Sequence, residues 1–482
     1  MSSREQVPDE VWSEIFCLLP RDNLEALSLT SSNFKDISRP LLFAHFKFHP
    51  YAFHGRQTDI VLLPSEAEIT SSLNRLDFWA SDGIARHVRS CQIIPWQAGR
   101  SELLFTEATT QSRYILLESF FQRLELFTGL QHFHGDGIHF TQAAVTTLCH
   151  ALALTKVLLI QCSIADGEHI DPMSLQLGVS SFSFINGVTH DDGIGLWIPL
   201  LRPQHLRELH LTCHPRFFGE DLAAIPRFPH VHTLTVTANY STMSYNLAVL
   251  SKFPAVQIFM MRGWGLVQDG AGAPVNASTV LPVIQRYTCG CETMGLFLHR
   301  RTLTHLTVQH CNPRDFTEQL RGTNNSITSF DITFDGFDMS VLRGICDFFP
   351  MLTELRIRSE CEVEEDDGEH INDIATTFFT ELEDFTAFQA TLQRLAIIWR
   401  FEYIDQDESD EAYSHEVEIP KLNELRDVLV ERCPGLTTLW LDGDDFLFHW
   451  RKSSQGADEE YSTVDEDDAK TRRKTLNDFW AA

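Results

Sequence analysis

From Leu303 to Ile357 the chain reads LTHLTVQHCNPRDFTEQLRGTNNSITSFDITFDGFDMSVLRGICDFFPMLTELRI. One pattern, apolar-x-x-apolar-x-apolar, is written three times in it. The copies start at Leu303, Ile327 and Leu352, 24 and 25 residues apart. Alternation of apolar and polar side chains within each copy reads as a half-buried strand. Met339–Phe349, between the second and third copies, has helical spacing. A strand and a return segment recurring at a fixed period of 20 to 50 residues point to a solenoid.

The same pattern extends outward in both directions. It starts at Val88, Leu154, Val179, Leu206, Val231 and Val256 before this stretch, and at Leu392 and Leu436 after it. A degenerate copy starts at Leu130, and Phe43 begins a stretch able to supply a capping strand. Successive starts from Leu130 to Val256 differ by 24, 25, 27, 25 and 25 residues. The 47-residue gap from Val256 to Leu303 is near two periods and contains the Gly263–Gly272 stretch. The last two gaps, of 40 and 44 residues, each hold an acidic run, so one insertion explains each irregularity. Phe140–Ala151 and Lys421–Arg432 are further helix-like segments. Cys162, Asn239 and Cys311 stand three residues after the last strand position. The whole is similar to a divergent leucine-rich-repeat domain, which implies an α/β solenoid: a curved parallel sheet with helices on its convex side. The alternative, a doubly wound α/β fold, has no regular 25-residue period.

Residues Val7 to Pro50 follow another rule. Val11, Ile15, Leu18 and Leu19 fall at helical spacing after Pro8-Asp9-Glu10, a good helix start. Pro20 ends that helix. A second begins near Asp22, and a third carries Phe34 and Ile37 and is expected to end before Pro40. Three short helices cannot bury all these apolar side chains among themselves, so a partner is implied. The order Pro8-x-Glu10, Ile15-Phe16, Leu19-Pro20, Leu24, Leu27-Ser28-Leu29-Thr30, Phe34 and Pro40-Leu41 resembles the F-box. Val7 replaces its usual opening Leu, and Phe34 stands where many members carry Trp. The resemblance implies binding to the Skp-type adaptor of cullin–RING (SCF) ubiquitin ligases, through Pro8, Val11, Ile15, Leu19, Leu24, Leu27, Leu29 and Phe34. The alternative is a generic three-helix cap on the next domain. The expected organisation is an F-box at 5–48, a linker or capping segment at 49–86, repeats at 87–450 and an acidic tail at 451–482.

Composition narrows the function. The net charge is −29, and from Met351 onward 34 acidic residues face 13 basic ones. Nucleic acid and anionic membranes need basic surface, so neither is an expected partner. The acidic runs Glu362–Glu369, Glu402–Glu418 and Asp458–Asp468 read as solvated inserts, or as steering for a basic partner. No apolar run approaches a bilayer span and no leader-like segment opens the chain, so cytosol or nucleus is expected. Eleven cysteines without framework spacing, Cys17, Cys91, Cys162 and Cys311 among them, read as small buried hydrophobes. Cys289-Gly-Cys291 lacks a second pair at zinc spacing. His190-Asp191-Asp192-Gly193 reads as a turn, and His415-Glu416 lacks a second histidine. Phosphate-loop, dinucleotide and nucleophile-elbow motifs are missing, so neither enzyme activity nor a cofactor or metal is expected.

The expected role is a substrate receptor, acting by proximity between a bound protein substrate and the ligase core. The rival is an F-box repeat scaffold that does not promote ubiquitin transfer. On the later repeats Arg356, Arg358, Arg394 and Trp440 alternate with core positions. They are candidate contacts to an acidic or phosphorylated substrate segment, with Asp331 and Glu354 as competing partners within the chain.

Overall fold

A computed structural model describes residues 7–54, 57–97, 105–107, 114–164, 174–185, 194–213, 225–238, 247–262, 280–298, 300–319, 326–335, 339–363, 380–403, 422–443, 446–453, 458–463 and 466–481. Gly263–Gly272, His190–Gly193, Asn239, His415-Glu416 and most of the acidic runs lie outside the described residues. The chain divides into two units, residues 1–239 with 252–254, and residues 240–251 with 255–482.

The first unit opens with three helices, α1 (Asp9–Cys17), α2 (Arg21–Ser28) and α3 (Ser32–Leu42). Pro8 and Pro20 stand at the caps of α1 and α2, where a missing N–H costs nothing. Ser31 caps α3 by accepting from the Phe34 amide at 3.1 Å. Contrary to expectation, α3 runs through Pro40 to Leu42. The only intrahelical bond Pro40 removes is to the Asp36 carbonyl, in the last turn and on an exposed residue that water can reach.

Strand His45–Phe48, the expected cap, then pairs parallel with Ser90–Ile93. The ladder continues in order through His132–Asp136, Lys156–Ile160, Ser181–Ile185, Glu208–Cys213 and Thr233–Ala238, every pair parallel. Register holds core position to core position: Phe133, Val157, Phe182, Leu209 and Leu234 lie side by side. All five are at most 1% exposed. Helix Ile115–Arg123 packs on that apolar side, with Phe121 6.2 Å from Phe133. The segment after the cap also forms a hairpin, Ala52–His54 with Gln57–Pro64, and a capping-box helix, Glu66–Trp79.

The second unit repeats the plan. Strands Ile258–Arg262, Arg286–Gly290, His305–Cys311, Ser329–Asp335, Glu354–Val363, Arg394–Tyr403 and Thr438–Asp442 are parallel neighbours in that order. Tyr287, Leu306, Phe330, Leu355, Leu395 and Leu439 form the matching in-register row. Met339–Phe348 and Leu422–Arg432 are the return helices. Strand Arg286–Gly290 fills the two-period gap and is absent from the sequence reading. Its core positions are Ile284, Tyr287 and Cys289, all buried, and an aromatic hydroxyl and a thiol hide the pattern. The Tyr287 hydroxyl donates to the Thr293 carbonyl at 3.0 Å, which makes its burial affordable.

Three further differences are instructive. Cys17, expected buried, is exposed at the end of α1, and Cys311 is joined to Cys291 by a disulfide. Cys162 does serve its turn: its thiol donates to the carbonyls of Gly135 and Ile160, both at 3.3 Å. The stretch after Arg451, expected to add little to the core except where Leu476, Phe479 and Trp480 could dock as a final cap, forms strand Glu459–Thr463, antiparallel to Leu447–Arg451, and helix Glu466–Ala481; Leu476 and Trp480 do pack on the sheet. That helix buries Ala469 and Leu476.

Close approach between repeats makes Gly435 irreplaceable. A Cβ there would sit 2.6 Å from the Ala390 carbonyl oxygen and 3.0 Å from that of Leu392. Both obstacles are backbone, so Gly435→Ala is expected to cost about 1–3 kcal/mol in chemical denaturation. An unchanged midpoint would contradict this packing.

Candidate functional site

The residues carried over for adaptor binding separate into two sets. Phe16, Leu24 and Leu42 are buried, and Trp12, Leu19, Leu27, Phe34, Ile37, Leu41 and Phe43 pack against them. Phe34 meets Trp12 edge-on at 4.9 Å and Phe16 at 5.3 Å. Leu19, Leu24, Leu27 and Phe34 therefore build the module itself. Pro8, Val11, Ile15 and Leu29 remain on its surface. The most exposed apolar side chains of this three-helix module are Leu29 at 87% and Leu18 at 85%. Leu18, at helical spacing with Val11 and Ile15 but not among the residues the resemblance implies for adaptor binding, shares their stripe. A module that spends its apolar side chains on a small core and still exposes five of them, Val7 included, has an unsatisfied surface.

The second candidate set lies in the second unit. Arg356 and Arg358 alternate with the buried Leu355 and Ile357, so they occupy the face opposite the core. One row across that face runs Asp331, Arg356, Ala396, Trp440, His449 and Tyr461. Ala396 is too small to fill its place in this row, and Arg356 reaches over it: its guanidinium carbon lies 4.9 Å from the Trp440 ring centre. The structure thus brings all four predicted residues together. It does not leave them open. Arg358 pairs with Asp331 at 2.8 Å, and Arg394 with Glu354 at 2.6 Å.

Helix Glu466–Ala481 covers the row. Arg356 donates to the Asn477 carboxamide oxygen, and Arg394 lies 4.4 Å from the Trp480 ring centre. Ala396, Ile398, Trp440, Leu447, Ala469 and Leu476 make a small apolar cluster beneath it. Arg473 pairs with the buried Asp442 at 2.9 Å, and Arg472 stacks on Tyr461 at 5.2 Å. The side chain of Phe479 lies outside the described residues. Burial of Arg356, more than its neighbour Arg358, pushes its pKa down to about 10.

His449, 4% exposed, lies beneath the same helix, its Nδ1 3.5 Å from Arg472. Burial first, then Arg472, pushes its pKa from 6.5 to about 4. Because the folded value is the lower one, the imidazole favours the folded state fully above pH 6.5. That contribution is lost as pH falls from about 6.5 towards 4. Protection of the amides in Glu466–Ala481, measured as exchange relative to the intrinsic rate at each pH, is expected to fall across this window, and His449→Gln is expected to flatten the response. A pH-independent protection factor in the unaltered chain would refute it.

Among the described residues no cluster of three or more His, Cys, Asp or Glu side chains could hold a metal ion. Among the same residues no helix is long and apolar enough to cross a membrane.

Comparison with known proteins places the F-box domain family on residues 5–45. No curated protein matches the chain. Among solved structures, the crystal structure of a TLR13–ssRNA13 complex matches at 12% identity over 74% of this chain, with a TM-score of 0.34. The match covers 51% of that chain, about half its length.

Proposed function

We propose, from the F-box domain at residues 5–45, that this chain is the substrate-recognition subunit of an SCF-type ubiquitin ligase. The F-box would hold a Skp-type adaptor, and through it the cullin–RING core, while the repeats hold a protein substrate. The observation that carries this reading is the exposed stripe Val11, Ile15 and Leu18, with Leu29, on a module whose own core is already filled. The chain's part would be positioning: holding a target near a ubiquitin-charged partner raises its effective concentration and needs no acid or base of its own. The negative charge supports a protein partner over nucleic acid. Two measurements test it in order. Co-expression with a Skp-type adaptor should yield a stable complex; failure to form one removes the reading. Reconstitution with the cullin–RING core should then ubiquitinate a captured partner. Adaptor binding without transfer would favour the scaffold.

A further inference from the structure

The arginine–tryptophan row is chemically unfinished. Among the described residues Arg358 pairs with Asp331 and Arg394 with Glu354. Arg356, 9% exposed, is left with the neutral oxygen of Asn477, although a carboxylate pairs better with a guanidinium. The Arg356 Nε, the Asp331 Oδ1 and the indole N–H groups of Trp440 and Trp480 are buried without hydrogen-bond partners. The donors among them that stay with the sheet, Arg356 Nε and the Trp440 indole N–H, are ones a ligand carboxylate would satisfy.

The covering helix is held unevenly. Its middle is anchored by Arg473 on Asp442 and Arg472 on Tyr461. Among the described side chains, its last turns rest on Leu476, on the Asn477 amide and on the half-buried Trp480. Local unseating of those turns, with Arg472 and Arg473 still in place, would uncover Arg356 and Arg394.

We propose that Arg356, Arg394 and Trp440 form a docking site for an acidic peptide segment carrying an aromatic side chain, which Asn477 and Trp480 occupy in cis until that segment displaces them. Trp480 stands in for the ligand's aromatic ring over Arg394, and Asn477 for its carboxylate on Arg356. The proposal rests on the reading of the chain as a receptor and names the chemistry of what it receives.

The test is fluorescence anisotropy with the full chain and two labelled peptides. One is built of Glu, Asp and Gly around a single Trp; the other has Lys in place of every acid. The acidic peptide is expected to bind and the lysine peptide not. Trp480→Ala should tighten acidic-peptide binding about tenfold, because the competent state is no longer masked. Asn477→Asp puts a carboxylate on Arg356, keeps the helix seated and should weaken binding by about the same factor. Arg356→Gln and Arg394→Gln should each abolish it. Equal binding of both peptides, or affinity unmoved by both Trp480→Ala and Asn477→Asp, overturns the proposal. Adaptor co-purification, which depends on α1 and α2, keeps the two readings apart. Adaptor bound with no acidic peptide sinks only this inference; peptide bound with no adaptor sinks the receptor.

Discussion

The triple variant Ile15→Asp, Leu18→Asp, Leu29→Asp is expected to lose adaptor co-purification by at least about a hundredfold while keeping its helical content. Burying a Leu or Ile side chain is worth about 1.5–3 kcal/mol, and every 1.4 kcal/mol is a factor of ten in affinity. Two such contacts suffice for the expected loss, and an aspartate forced into the same interface adds a desolvation cost. The fold should survive because these side chains are 41%, 85% and 87% exposed. Charged residues at Leu19 and Leu27 would be a poorer test. Both pack on the Phe16–Leu24–Leu42 core, so folding and binding would fail together. Leu24→Asp is the useful control, since it should remove adaptor and helicity at once. Retention of adaptor at the level of the unaltered chain by the triple variant would show that the exposed stripe is not the contact face.

Leu355→Ala should be the most damaging of the small substitutions in the second unit, at about 3–5 kcal/mol. Leu355 is 0% exposed and lies in register between Phe330 and Leu395. Its strand, Glu354–Val363, is paired with a neighbour on each side. Repeats are stabilised by their immediate neighbours, so the cavity should be felt in Ser329–Asp335 and Arg394–Tyr403 as well. Chemical denaturation gives the total, and amide exchange in those strands gives its spread. Arg358→Ala offers the contrast: its ion pair with Asp331 is only part-buried, and losing it should cost about 1–2 kcal/mol. A Leu355→Ala cost as small as that would mean the row is not the core.

Much of this was legible before any coordinates. The strand cores from Val88 to Leu436, the degenerate copy at Leu130 and the cap at Phe43 all become strands of the repeat sheets. They are readable because a repeat brings near neighbours in sequence together, so periodicity carries the tertiary pairing directly. A second signal was present and went unread. Thr155, Ser180, Thr304, Thr328, Thr353 and Thr437 follow the first apolar residue of their copies, and each hydroxyl donates to the equivalent backbone carbonyl one repeat earlier, at 2.9–3.3 Å. Strand Arg286–Gly290 went unread for the opposite reason. Tyr and Cys stand at its core positions, and the starts of the strands before and after it are 28 and 19 residues from its own.

The two kinds of module, their order and the strand residues that face the core all follow from local spacing and from pairing between adjacent repeats. Tertiary structure alone decided what each apolar or charged residue is used for. Leu24 and Leu29 have the same side chain at similar places in the motif, yet one is 7% and the other 87% exposed. Arg356 and Trp440 were readable as surface residues of their strands, and on the bare sheet they would be. A helix more than a hundred residues beyond Arg356 in the chain covers both. No periodicity encodes that return, because the contact depends on where the chain folds back and on a small Ala396 between two large side chains.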